Sequence, residues 1–233
     1  EKAISYFEQA LNNSPSLKQA RNNLAKIYTN YGDKFQLDGK IEESINYYTK
    51  AIKNKSDFIE AHNNMGIALQ SLNKFDQAVI SFKNAIEINP NFEKSLNNLA
   101  ASFVAQGKFE EAIFFYDKAF KHNPKKTQYA INARLLIPTI PEANEKVKFW
   151  REKYISSLED LKKYKYSIDD PQKMLNPPTF NLSYSNFDNL SIMKKVSNFF
   201  RESVPVINFN YDEKKSKTIN NKKKEKLKIG FIS

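Results

Sequence analysis

Residues 75–90 read FDQAVISFKNAIEINP and residues 109–124 read FEEAIFFYDKAFKHNP. Ala78, Phe82, Ala85 and Pro90 thus return 34 positions later as Ala112, Tyr116, Ala119 and Pro124. One step upstream the set is Ser44, Tyr48, Ala51 and Ser56, and at the start of the chain it is Ala3, Phe7, Ala10 and Pro15, so the array is expected to be running already at residue 1. A small residue, an aromatic and a second small residue at i, i+4 and i+7 lie along one helix face and let a neighbouring helix approach closely. The closing proline stops the helix.

The preceding helix of each unit has its own signature: Leu24, Ala25 and Tyr28, then Met65, Gly66 and Leu69, then Leu99, Ala100 and Phe103. Two such helices in a 34-residue period resemble the tetratricopeptide repeat (TPR), whose stacked copies form an α-solenoid. The fold expected is mainly α. The spacing departs once, because the step from Ala3 to Ser44 is 41, an excess of seven residues. Gly32 and Gly39 both fit the turn that Gly107 occupies later, which places the extra seven near Asp33 to Gly39, between the two helices of one repeat. Seven residues make about two helical turns, so either a lengthened first helix or an extended loop accommodates them.

Composition narrows the function classes. The chain has 233 residues, with 40% hydrophobic and 13% aromatic content, which excludes a wholly disordered chain. It has no cysteine, so it offers no disulfide framework, thiolate metal site or cysteine nucleophile. No apolar run approaches membrane-spanning length and no secretory signal opens the chain, so a cytoplasmic protein without a membrane partner is expected. Glu1 already lies in a helical pattern, which implies that a native N-terminus precedes it and leaves a targeting segment open. The net charge of +11 raises nucleic acid as a partner. However, Lys214, Lys215, Lys217, Lys222, Lys223, Lys224, Lys226 and Lys228 crowd one polar stretch against only Asp212, Glu213 and Glu225. With no aromatic after Tyr211 to stack on bases, that stretch reads as a solvated linker and nucleic acid is not expected.

The register continues past Pro124 for one more helix, where Asn132 falls 34 after Asn98, but Arg134 now occupies the place of Ala25, Gly66 and Ala100. Pro138 and Pro141 break the pattern, so no second helix is expected in that unit and residues 127–137 read as a capping helix. A different module follows. A helix from about Glu142 to Tyr164 carries Val147, Trp150, Tyr154, Leu158 and Leu161 on one stripe. A loop with Asp169, Asp170, Pro171, Pro177 and Pro178 leads to an alternating Phe180, Leu182 and Tyr184. Asp188 could cap a helix from about Asn189 to Ser203 with Leu190, Met193, Val196, Phe200 and Val204 as its apolar face. The expected organisation is therefore TPR repeats over 1–125, a capping helix and Pro-rich break over 126–141, a helical connector over 142–204, a Lys-rich linker over 205–226 and a strand over 227–233.

Reactive chemistry is sparse. His62 and His122 are the only histidines and both sit in repeat helices without a partner set, which favours a packing or surface role over a catalytic base. Five glycines form no phosphate loop, no carboxylates have metal spacing, and Asp169 and Asp170 before a proline read as turn chemistry. No catalytic, cofactor-binding or metal residue is assigned. What remains is a column of amides: Asn23, Asn64, Asn98 and Asn132 take the same place in successive first helices once the seven extra residues are counted. TPR superhelices line their inner surface with this helix, and an amide offers donor and acceptor to an extended peptide backbone. Asn22, Asn63 and Asn97 beside them represent the asparagine-rich background.

After the repeats, Leu136-Ile137-Pro138-Thr139-Ile140, Val147-Lys148-Phe149-Trp150-Arg151-Glu152-Lys153-Tyr154, Phe180-Asn181-Leu182-Ser183-Tyr184 and Lys228-Ile229-Gly230-Phe231-Ile232-Ser233 follow in that order. This succession resembles the bacterial, Spindly-like branch of the protein O-GlcNAc transferase family (glycosyltransferase family 41). The resemblance implies a TPR superhelix leading through a helical connector into an α/β catalytic lobe of the GT-B type, of which Ile229–Ser233 would be the first strand. It implies a complete enzyme that transfers a sugar from a UDP-GlcNAc-type donor to Ser or Thr of protein substrates held in the TPR groove, with its catalytic residues beyond Ser233 and no required metal. Pro141, where the family often has an aromatic, and the lysine stretch depart from the pattern and leave the sugar donor open. The alternative is a TPR scaffold that binds partner proteins and carries no transferase.

Overall fold

The computed structural model describes residues 2–136, 144–162 and 190–203, and every regular element among them is a helix. In chain order these are α1 (Lys2–Asn13), α2 (Lys18–Leu37), α3 (Ile41–Asn54), α4 (Ile59–Ser71), α5 (Phe75–Ile88), α6 (Glu93–Ala105), α7 (Phe109–His122), α8 (Thr127–Leu135), α9 (Asn144–Lys162) and α10 (Leu190–Ser203). Each packs on the next, α9 against α10 included, and the first helices of the repeats also touch one another, α2 with α4 and α4 with α6. The result is a TPR-type solenoid with its first helices side by side along one face.

The 34-residue period is built into the backbone. Left-handed residues fall at Gly39, Asn73 and Gly107 with φ of 77°, 57° and 73°. The next amide in each case, that of Lys40, Lys74 or Lys108, turns back to the carbonyl of Phe35, Leu69 or Phe103 at 2.8–2.9 Å. The second helices end alike, with the amides of Lys55, Asn89 and Asn123 on the carbonyls of Ala51, Ala85 and Ala119. None of the helix starts from α2 to α8 has a side-chain cap, the N-cap residues being Leu17, Lys40, Phe58, Lys74, Phe92, Lys108 and Lys126. Carboxylates in the first turn, such as Glu42, Asp76 and Glu110, complement the helix dipole instead, and burial between helices supplies most of the stability.

The extra seven residues are helical. α2 has 20 residues where α4 and α6 have 13, and because Gly39, Asn73 and Gly107 make the same turn at 34-residue steps, the extra seven lie at the start of α2, over residues 18–24, and not near Asp33 to Gly39 as the sequence suggested; no extended loop forms. The small-residue column is also corrected. A Cβ on Gly32 would lie 2.5 Å from the Tyr48 ring, as one on Gly66 would from Phe82, so Gly32, and not Ala25, is the counterpart of Gly66. Ala25 is fully buried too, in a cluster with Leu24, Tyr28 and the α1 side chains Ile4, Phe7 and Leu11. Two turns advance a helix by 7 × 100°, within about 20° of where it began, so both registers share one face. The lengthened helix serves α1 with its first half and α3 with its second.

The helix expected from about Glu142 to Tyr164 is present as α9, but it pairs with α8 as the second helix of that unit, where the sequence suggested a different module. Asn144 opens α9 one residue past the 34-step position from Phe109, and Trp150 falls 34 after Tyr116. Trp150, Tyr154, Leu158 and Leu161 are buried with Ala130, Ile131 and Leu135 of α8 and with Ile192, Val196 and Phe199 of α10. Phe109, Ile113 and Phe120 of α7 border the same core, so it continues the solenoid. Pro138 and Pro141 lie outside the described residues. In α10 the buried stripe is Ile192, Val196 and Phe199, while Leu190 and Met193, expected inside, are exposed. Two stripes at steps of three and four overlap in this sequence, and contact with α9 selects one. The expected extended segment at Phe180–Tyr184, the Asp188 cap, the Lys-rich linker and the strand at 227–233 lie outside the described residues.

Candidate peptide-binding face

The first helices meet along a polar seam. Asn64 Nδ2 donates to Asp33 Oδ1 at 2.8 Å, joining α4 to α2, and Asn64 Oδ1 accepts from Asn63 Nδ2 at 3.0 Å. Asn98 Nδ2 donates to Asn63 Oδ1 at 3.2 Å and Ser95 Oγ to the same oxygen at 3.0 Å, joining α6 to α4. Gln70 Nε2 adds bonds to the Asn98 carbonyl and to Ser102 Oγ, at 3.1 and 2.8 Å.

The sequence-derived rungs divide on this seam. Asn64 and Asn98 are half-buried and each ties two repeats together. Asn132 is half-buried on α8, where its Oδ1 accepts from Gln128 Nε2 of the same helix. Asn23 is half-buried two turns before Asn30, the residue at the 34-step position from Asn64. An amide holds two donors and two acceptor lone pairs, so Asn64 and Asn98 keep capacity for a ligand after their structural bonds are made.

Sequence reasoning missed Asn63, which it assigned to background. Asn63 is buried and is the hub of the seam, accepting from both Ser95 and Asn98. The recurrence of Asn-Asn in three first helices, at 22–23, 63–64 and 97–98, was the available signal. Aspartate at position 33 was missed as well. Its Oδ1 accepts from Asn64 and from Tyr48 Oη at 2.8 Å each, and Tyr48 Oη also lies 2.8 Å from Gln36 Oε1. Burial first, and then the Asp33 carboxylate, push the Tyr48 hydroxyl far above its ordinary pKa, so it remains a proton donor. Asp33, Gln36, Leu37, Asn64 and Ile67 line a recess of about 250 Å³ between α2 and α4.

The histidines have structural surroundings. His62 is buried with Nε2 2.8 Å from the Ser56 carbonyl, and His122 is exposed at the end of α7. Among the described residues no cluster of three or more metal-ligating side chains occurs, and no helix is long and apolar enough to cross a membrane.

Family models for the tetratricopeptide repeat match residues 25–58, 59–92 and 93–126. Residues 25–126 are TPR repeats. Their first repeat opens at Ala25, which makes Gly32 the eighth residue of its unit, as Gly66 is of the next. Among solved structures, the first TPR of Spaghetti (RPAP3), bound to the HSP90 peptide SRMEEVD, is similar with 25% identity and a TM-score of 0.48 over 48% of this chain and 90% of that one. MamA is similar at 18% identity and a TM-score of 0.49, over 69% of this chain and 85% of its own. The second TPR domain of human RPAP3, solved with the HSP70 peptide SGPTIEEVD, has 20% identity and a TM-score of 0.46, with coverage of 50% and 94%. A search of curated proteins gives no match.

Proposed function

We propose that the TPR repeats hold an extended segment of a partner protein on the face where the first helices meet, with Asn23, Asn64, Asn98 and Asn132 offering amide groups to its backbone. The observation that carries this is the spacing: Asn64, Asn98 and Asn132 recur at 34 residues, and each is only half-buried. Residues 25–126 contain fourteen lysines against twelve acidic residues, so net charge attracts a partner weakly and backbone hydrogen bonding is the better-supported means of recognition. The test is a titration of labelled extended peptides against the wild type and the triple variant Asn64→Ala, Asn98→Ala, Asn132→Ala. At about 0.5–1.5 kcal/mol net per lost bond, binding weakens by about 1.5–4.5 kcal/mol if the rungs add. Unchanged affinity refutes the ladder.

A finer proposal is that this module recruits substrates for a protein O-GlcNAc transferase-like glycosyltransferase using a UDP-GlcNAc-type donor. The order and wording of the segments from Leu136 to Ser233 support it, and none of these residues is assigned to the donor. A non-catalytic interaction scaffold is the alternative. Incubating the full-length gene product with UDP-GlcNAc and a bound Ser/Thr peptide separates the two, since sugar transfer seen by mass spectrometry requires the enzyme.

A further inference from the structure

The column that contains Asp33 is otherwise apolar. At 34-residue steps it reads Asp33, Ile67, Ala101 and Leu135. The carboxylate is half-buried and held by Tyr48 and Asn64 through Oδ1 alone, while Oδ2 has no bond among the described residues. Among the described residues no lysine or arginine forms an ion pair with it. Residues three and four away on α2 are Asn30, Thr29, Gln36 and Leu37, and α4 carries neither lysine nor arginine. The aromatic beneath it is Tyr48; the next unit has Phe82, and the unit after that has Tyr116 but Ala101 in the carboxylate's column, so the pairing of hydroxyl with carboxylate is particular to this repeat.

The surroundings match one kind of side chain. The recess joins the carboxylate to the apolar walls of Leu37, 89% exposed, and Ile67, with Gln36 as a further acceptor and the Asn64 rung beside it. An apolar channel that ends in an anchored, uncompensated carboxylate suits a long aliphatic stem with a cationic head. Resting on the peptide-binding function proposed above, we propose that this recess is a specificity subsite for a lysine or arginine of the bound segment. The stem lies on Leu37 and Ile67, the head pairs with Asp33 Oδ2, and the adjacent backbone meets Asn64. One charged subsite at the first-repeat end of an otherwise sequence-tolerant face fixes the register of the partner segment.

The test uses the full chain and fluorescein-labelled 15-residue peptides of mixed Gly, Ser, Thr and Ala, identical except for a central Lys, Arg, norleucine or Glu. Fluorescence anisotropy is read at low and high salt. The expected result is about 3- to 20-fold tighter binding of the Lys and Arg peptides than of the norleucine peptide, falling with salt. Asp33→Asn, which retains an oxygen for Tyr48, erases that preference. Leu37→Lys changes an exposed residue, so its folding is secure, and it also erases the preference. Equal binding of all four peptides by the wild type overturns the subsite and leaves the peptide face standing. Binding of none overturns both. A basic preference that survives in Asp33→Asn and Leu37→Lys places the recognition elsewhere and overturns the proposal.

Discussion

Gly32 lies directly under the ring of Tyr48: a Cβ at that position would stand 2.5 Å from Tyr48 Cε1 and 2.7 Å from Cδ1. The same relation joins Gly66 to Phe82, at 2.5 Å from Cε1 and 2.7 Å from Cζ. Both rings are fully buried, so neither can swing aside without moving a helix. Gly32→Ala and Gly66→Ala should each cost about 1–3 kcal/mol by overpacking, set against a helix-propensity gain of about 1 kcal/mol from replacing glycine. A net loss in urea unfolding is expected for both, whereas Ala25→Gly should lose only propensity and a small buried methyl. Stabilisation by Gly32→Ala would place the Tyr48 ring elsewhere.

The contrast between Ala25 and Gly32 shows where the sequence was legible. Periodicity found the helices, the turns and the aromatic column because each repeats a local physical demand every 34 residues. It could not choose between Ala25 and Gly32, since seven residues return a helix to nearly the same face. Only the partner helix decides, and that is a tertiary fact. The pairing of α9 with α8 was missed for a similar cause: its helix was legible, but Arg134 broke the small-residue rule, while Trp150 kept the spacing. For the candidate site, the column of Asn64, Asn98 and Asn132 could be read from spacing alone. Asn63 showed only as a recurring Asn-Asn pair and Asp33 not at all, because their importance comes from bonds between repeats.

Tyr154 is 2% exposed, and its hydroxyl finds no hydrogen-bond partner among the described residues. Burial accordingly pushes its pKa well above the usual tyrosine range. An unsatisfied buried polar group costs about 1–3 kcal/mol, so Tyr154→Phe should leave stability unchanged or raise it by about 1 kcal/mol. Tyr48→Phe makes the opposite case, because its hydroxyl serves Asp33 and Gln36; it should lose about 1–2 kcal/mol. Thermal unfolding of the two variants side by side checks the sign of each.

Glu93 links the start of α6 to the turn before α8 through Asn123 Nδ2 and Lys126 Nζ, both at 3.3 Å. Desolvation pulls its carboxyl upward, but the hydrogen bonds from Asn123 and Lys126 outweigh it and hold the pKa below the ordinary 4.5. A depressed folded-state pKa means stability that is present above the unfolded value and lost as pH falls through the folded one. Wild type should therefore exceed Glu93→Gln by a few tenths of a kcal/mol at neutral pH, given the exposure of the pair. That advantage should shrink as pH falls below about 4.5 and fade with added salt. A difference in melting temperature that stays constant from pH 7 to pH 3 would show that the carboxylate charge is not involved.

Arg134 stands where the repeats place a small residue, and it binds three helices. Its Nη1 pairs with Asp117 Oδ1 of α7 at 3.0 Å and its Nε with Asp160 Oδ2 of α9 at 2.9 Å, while the guanidinium lies 5.5 Å from the Phe120 ring centroid. The side chain is 18% exposed, so screening by water is limited. Arg134→Ala would remove both ion pairs and open a gap between α8 and α9, for a loss of about 1–3 kcal/mol. The loss should be local. Trp150 is the only tryptophan and lies in the core shared by α8, α9 and α10, so its fluorescence reports that end while circular dichroism reports all the helices. In the wild type the two urea transitions should coincide, because Phe109, Ile113 and Phe120 of α7 join this core to the repeats. In Arg134→Ala the fluorescence transition should move to lower urea ahead of the bulk helix signal, and Arg134→Lys, which cannot reach both carboxylates with a fork, should fall between. Coincident, unshifted transitions in Arg134→Ala would mean that the last helices are held by their apolar core alone.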